Sequence, residues 1–147
     1  MTHSINRRDL LKSAAAVGTG LFLGTANPRA FAAANEKINV AFIGIGGRGA
    51  ANLGSMIRLG ENVVGLCDVD DVRAGKAYQR YPKARKFKDF RKMYDAIGKQ
   101  VDAVVISTPD HTHFHPSMAA LQLGKHLYCE KPMAHSIWEV RQMTDLA

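Results

Sequence analysis

The first residues able to do chemistry are Gly44-Ile45-Gly46-Gly47-Arg48-Gly49, three glycines spaced Gly-x-Gly-x-x-Gly in a chain of 147 residues. Gly44 permits a tight turn out of a strand, Gly46 lets the backbone approach a pyrophosphate, and Gly49 lets the following helix pack closely on the strand. The free N–H groups and positive dipole end of that helix then hold an anion. Gly47 and Arg48 add backbone and side-chain contacts to phosphate. Asp68 closes the next apolar run, about 20 residues beyond the last glycine, where a carboxylate accepts hydrogen bonds from ribose hydroxyls and repels a 2′-phosphate. The expected cofactor is therefore NAD, with NADP the lesser alternative because Arg73 stands nearby. The bland alternatives are an ordinary Gly-rich turn and, for Asp68, a helix cap. The context favours the cofactor: a β-type run precedes the glycines, a helical pattern follows, and an acid ends the next run.

The elements that must position these residues alternate along the chain. Strands are expected over residues 38–43, 62–67, 84–87, 101–107 and 126–129, and the first is near-continuously apolar, as a parallel strand covered on both faces should be. Helices are expected over residues 47–59, 70–80, 90–97 and 112–123, with a last one starting near Ser136. Strands alternating with helices predict a parallel sheet with right-handed crossovers. The fold class is α/β, a doubly wound parallel sheet of Rossmann type in the order 3-2-1-4-5.

Two further groups need weighing. His111, His113 and His115 invite a metal reading, since imidazole is a common ligand. No Cys or carboxylate cluster completes such a site, so no metal is expected. Cys67 and Cys129 end the second and fifth strands, three places apart in the predicted order, or roughly 14 Å at the usual strand spacing. That is too far for a disulfide, and both are expected as buried thiols.

Four motifs together support a resemblance that covers residues 38–147. Gly44 to Gly49, Cys67-Asp68-Val69-Asp70, Ser107-Thr108-Pro109-Asp110-His111-Thr112-His113 and Cys129-Glu130-Lys131-Pro132 resemble the Gfo/Idh/MocA oxidoreductases. The Glu-Lys-Pro run is the most specific of these and the glycines the least. The resemblance implies that Lys131 lies near the nicotinamide and the substrate hydroxyl, hydrogen-bonding or deprotonating it as hydride leaves the neighbouring carbon. It implies that Glu130 orients Lys131 or contacts the nicotinamide ribose, and that Pro132 fixes the turn. Thr108, Pro109 and His113 match the family's Thr-Pro-x-x-x-His pattern at the edge of the nicotinamide site, which makes His113 a second candidate catalytic residue. The resemblance further implies a sugar, polyol or related hydroxy compound as substrate. It implies a second α/β domain carrying most substrate contacts, and frequent homo-oligomers.

Residues 1–32 read as an export signal. Arg7-Arg8 stands in a polar stretch, small and apolar residues follow from Ser13 to Gly24, and Ala30-Phe31-Ala32 supplies an A-x-A-like cleavage site. The run is too short for a spanning helix, which needs about 20 apolar residues. Asn6-Arg7-Arg8-Asp9-Leu10-Leu11-Lys12 resembles the twin-arginine motif, with an ordinary secretory signal as the alternative. Periplasmic or extracellular location follows, with residues 33–37 as a linker. The net charge of +7 invites a nucleic-acid reading, and the bases crowd residues 73–92 with Asp89 as the one acid among them. That run carries no nucleic-acid motif and is expected to be a solvated surface.

The chain stops inside a patterned helix, which reads as a truncated domain with the substrate domain absent. The expected function is the nucleotide-binding half of an exported NAD(P)-dependent oxidoreductase. The alternatives are a non-catalytic dinucleotide-binding module or partner-dependent subunit, and a family relative that uses NAD redox transiently to cleave a glycosidic bond.

Overall fold

A computed structural model describes residues 37–147. The expected export signal and all but the last residue of the expected linker lie outside the described residues. Five strands form one sheet: β1 Asn39–Ile43, β2 Asn62–Cys67, β3 Arg85–Phe87, β4 Ala103–Ile106 and β5 His126–Cys129. Their order is β3-β2-β1-β4-β5, and every pairing is parallel. This is the doubly wound arrangement expected. The helices are α1 Arg48–Leu59, α2 Asp71–Arg80, α3 Phe90–Ile97, α4 Phe114–Gln122 and α5 Ile137–Leu146.

The period of two in β1 divides the core. Val40 and Phe42 join Ile45, Leu53, Leu66, Ala74 and Ala77 on the face covered by α1 and α2. Ala41 and Ile43 join Met93, Tyr94, Ile97, Val104 and Ala120 on the face covered by α3 and α4. Both faces are dry, which is why β1 carries almost no polar side chain.

Short polar residues start the helices. The Asp70 carboxylate accepts from the amides of Val72 and Arg73 at 2.9 and 3.1 Å, opening α2. Asp89 does the same for α3 through Arg91 N–H at 2.9 Å. Ser136 and Glu139 form a reciprocal capping box at the start of α5.

Several boundaries or environments differ from expectation, among them β4, which spans Ala103–Ile106 where 101–107 was expected. The fourth helix begins at Phe114, after a 3₁₀ turn over Asp110–Thr112. Pro116 explains this: with α4 starting at Phe114 its missing N–H falls among the first-turn groups that have no intrahelical partner, whereas a start at 112 would place it where a bond is needed. Ala84 belongs to the turn before β3, its N–H donating to the Tyr81 carbonyl at 3.1 Å. Cys67 is buried as expected, but Cys129 is only partly buried because β5 ends the sheet and alternates exposed with half-covered positions. Both thiols are free, and burial pushes that of Cys67 up to about 12.

The bases of residues 73–92 occupy exposed positions, and several are paired: Lys88 with Asp71 at 2.5 Å and Arg91 with Asp89 at 2.8 Å. Among the described residues no helix is long and apolar enough to cross a membrane.

Candidate cofactor site

All five strands run the same way, so their carboxyl ends share one edge of the sheet. Sequence order reverses there between β1 and β4, and such a switch point opens a crevice. A cavity of about 590 Å³ occupies it, lined by Gly44, Gly46, Asp68, Val69, Arg73, Phe90, Thr108 and Pro109 among others. Its size lies within the range of small-molecule sites, about 300–1,000 Å³.

The glycine turn is sterically obligatory. Gly44 has φ +78°, and a Cβ there would lie 2.7 Å from the Thr108 amide nitrogen. A Cβ on Gly49 would lie 1.9 Å from the Gly44 carbonyl oxygen, so α1 packs on β1 at a distance only a glycine allows. Gly46 sits against Arg73, and Gly47 carries the chain from the turn into α1.

Asp68 organises this turn from β2. Its Oδ2 accepts from Ile45 N–H at 2.8 Å and Gly46 N–H at 3.2 Å, and its Oδ1 accepts from Asp70 N–H at 3.0 Å. Asp70, not Asp68, is the helix cap. A carboxylate has about four acceptor positions, so roughly one stays open for a ribose hydroxyl. Arg73 is drawn toward Asp70, at 3.7 Å. The Thr108 hydroxyl is buried without a hydrogen-bond partner, in a residue that lines the cavity. The residues present therefore fit a dinucleotide: an anion-binding helix start, an open acceptor for a ribose, an unpaired hydroxyl and apolar walls.

The Glu-Lys-Pro turn is tied to the same region from β5. Glu130 is buried, and its Oε1 accepts from Arg48 Nε at 2.8 Å, Asn52 Nδ2 at 2.9 Å and the Tyr128 hydroxyl at 3.3 Å. Asn52 Nδ2 also donates to Ser107 Oγ at 2.9 Å. The hydrogen bonds from Arg48 and then Asn52 pull the Glu130 carboxyl down to about 2. Arg48 thus spends one donor on Glu130 while its side chain stays 67% exposed, leaving the outer nitrogens of the guanidinium for an anion. Lys131 is exposed and lines a separate depression of about 650 Å³ with Glu130, Cys129 and Met133.

His113 is 1% exposed. Its Nδ1 lies 2.8 Å from the Pro132 carbonyl oxygen and its Nε2 lies 2.7 Å from that of Thr108. Both ring nitrogens face main-chain carbonyls, so His113 clamps the turn after β4 to the turn after β5. His111 and His135 instead flank Asp110 on the surface, at 3.5 and 3.9 Å.

The structure therefore divides the sequence candidates. Gly44, Gly46, Asp68, Thr108 and Pro109 line one cavity, while Gly47, Arg48 and Gly49 form the adjoining turn and helix start. Glu130 and Lys131 stand at the second depression, with His113 behind both turns. Sequence reasoning missed Asn52 and Ser107. Arg48 and Asn52 lie four apart, hence on one helix face, which was the available signal.

A family model for oxidoreductases with an NAD-binding Rossmann fold, Gfo/Idh/MocA, matches residues 38–147. The chain belongs to this family. Its Gfo/Idh/MocA domain is an NAD-binding oxidoreductase domain. A glycosyl hydrolase family 109 protein of Shewanella sp. strain W3-18-1 is 30% identical over 173 residues, taking in 99% of this chain and 37% of that protein. An alpha-N-acetylgalactosaminidase of Shewanella oneidensis is 28% identical, with the same coverage of 99% and 37%. Among solved structures, the WlbA dehydrogenase of Bordetella pertussis, in complex with NADH and UDP-GlcNAcA, is 26% identical at a TM-score of 0.68, covering 76% of this chain and 33% of that one. The chain spans a little over a third of the length of the Shewanella relatives it matches.

Proposed function

We propose that this chain is the cofactor-binding part of an exported enzyme that moves hydride between NAD and a sugar, polyol or related hydroxy compound. The observation that carries the reading is the join between the two turns: Arg48, at the phosphate-binding helix start, is bonded directly to Glu130, the residue before Lys131. A dinucleotide lying along the switch-point crevice would have its pyrophosphate at one end of that link and its reactive ring toward the other. The chemistry that NAD supplies when bound is acceptance and return of hydride.

The chain's own residues divide the remaining work. Gly47 and Arg48 hold the pyrophosphate, Gly44, Gly46 and Gly49, whose N–H groups donate within the protein, shape the turn it approaches, and Asp68 takes a ribose hydroxyl. Thr108 and Pro109 wall the cleft. Lys131 places its ammonium against the substrate hydroxyl, assisting its deprotonation and stabilising negative charge on oxygen. His113 holds the Lys131–Pro132 turn in place through the Pro132 carbonyl. In the full-length enzyme, Lys131→Ala should lower turnover by 10²-fold or more while NAD affinity stays within about threefold. Unchanged turnover would reject the role.

A second reading is favoured by the curated relatives, which are named as glycosyl hydrolases: transient NAD redox used to cleave a glycosidic bond. Both readings need the same hydride site and differ in the balance. Incubating the full-length protein with NAD and a panel of hexoses and N-acetylhexosaminides separates them. Net NADH formation marks the dehydrogenase, and released sugar without net NADH marks the redox-neutral cleavage. NAD binding with neither product leaves a binding module.

A further inference from the structure

We propose that Asn52 is a positioning residue for the Glu-Lys-Pro turn, acting through Glu130. The proposal rests on the reading of Lys131 given above, and it is carried by a juxtaposition to which no role has so far attached. The Asn52 amide nitrogen donates to two oxygens on two different strand ends: Ser107 Oγ beyond β4 and Glu130 Oε1 beyond β5, each at 2.9 Å. An amide NH₂ has two hydrogens, and both are used.

The arrangement fixes which way the amide faces. A carboxylate only accepts, so the nitrogen of Asn52, and not its oxygen, must face Glu130. Arg48, one turn earlier on α1, meets the same Oε1 from its Nε at 2.8 Å. The first two turns of α1 therefore clamp one carboxylate oxygen, while Oε2 lies 3.4 Å from the backbone N–H of Lys131. Glu130 is 7% exposed, and a buried charge left short of donors is costly. Asn52 is thus a fixed part of the turn's geometry. It does not line the 590 Å³ cavity, so its effect on Lys131 is separable from cofactor contact.

Asn52→Leu and Asn52→Asp in the full chain test this without turnover. The Glu130 carboxyl is followed by ¹³C NMR titration, the Glu130 and Lys131 amides by hydrogen exchange, and ADP-ribose affinity by calorimetry. Asn52→Leu should move the Glu130 midpoint up by about one pH unit, and Asn52→Asp, which sets two carboxylates together, should move it further. Exchange at Lys131 should speed up in both, with ADP-ribose affinity within about twofold of wild type. Ser107→Ala, which leaves the Glu130 bond intact, serves if the Asn52 variants do not fold: it should loosen the Asn52 amide and give a smaller upward move of the same midpoint. An unmoved Glu130 midpoint and unchanged Lys131 exchange overturn the proposal. If both change as expected while Lys131→Ala turns over normally, the reading of Lys131 fails and the positioning role of Asn52 stands.

Discussion

At the scale of single residues, the site is built from contacts that tolerate no substitution and from one buried charge. Gly49→Ala pushes a methyl against the Gly44 carbonyl, where only 1.9 Å is available. The turn and α1 must separate, and NAD affinity should fall at least tenfold, about 1.4 kcal/mol, as read by calorimetry. Asp68→Ala should lose affinity for NAD and narrow the preference over NADP. Equal affinities of the wild type for the two nucleotides would contradict the assignment of Asp68. Glu130 makes stability depend on pH in a definite direction. Its folded carboxyl is held down to about 2 from an ordinary 4.5, so the unfolded chain takes up the proton first as pH falls. The stabilisation is present above about 4.5 and is lost between there and about 2. Urea unfolding of wild type and Glu130→Gln at a series of pH values should show a difference that shrinks across that window.

At the scale of elements, local chemistry and packing agree, and this agreement is what made most of the fold legible. The apolar run through Val40 and Phe42 reads as a doubly covered strand, and it is one. Phe42→Ala should cost about 3–5 kcal/mol, since the ring is fully buried and the cavity it leaves cannot collapse between two packed layers. Thermal unfolding of the chain would measure it. The start of α4 was harder to read, because the periodicity of residues 112–123 says nothing about which turn Pro116 must occupy. Cys129 was placed correctly at the end of the fifth strand but expected to be buried, although the predicted order already made that strand an edge, where one side of the last residue is left half covered. The glycines and Asp68 were readable because backbone geometry demands those residue types at that spacing. The Asn52–Glu130–Arg48 cluster was not, since it joins α1 to β5 across 78 residues or more. Only the spacing of Arg48 and Asn52 along one helix face hinted at a shared partner.

At the scale of the whole molecule, this chain spans 37% of the length of its Shewanella relative. Its export is a separate expectation, resting on Arg7-Arg8 and the apolar run behind them. A reporter fused to residues 1–36 should reach the periplasm, and replacing Arg7-Arg8 with Lys-Lys should abolish transport. Export that survives the swap counts against the twin-arginine route. A route that carries folded proteins suits a domain whose cofactor crevice is formed entirely within residues 38–147.

The three hydrogen bonds that Asp68 makes to the chain around it have a kinetic consequence. The carboxylate already shapes the loop, so an arriving dinucleotide meets a surface that needs no slow rearrangement. Rapid-mixing traces of NADH fluorescence should be single exponentials whose observed rate rises linearly with ligand concentration. In Asp68→Ala the loop must order after encounter, and the same plot should bend toward a plateau.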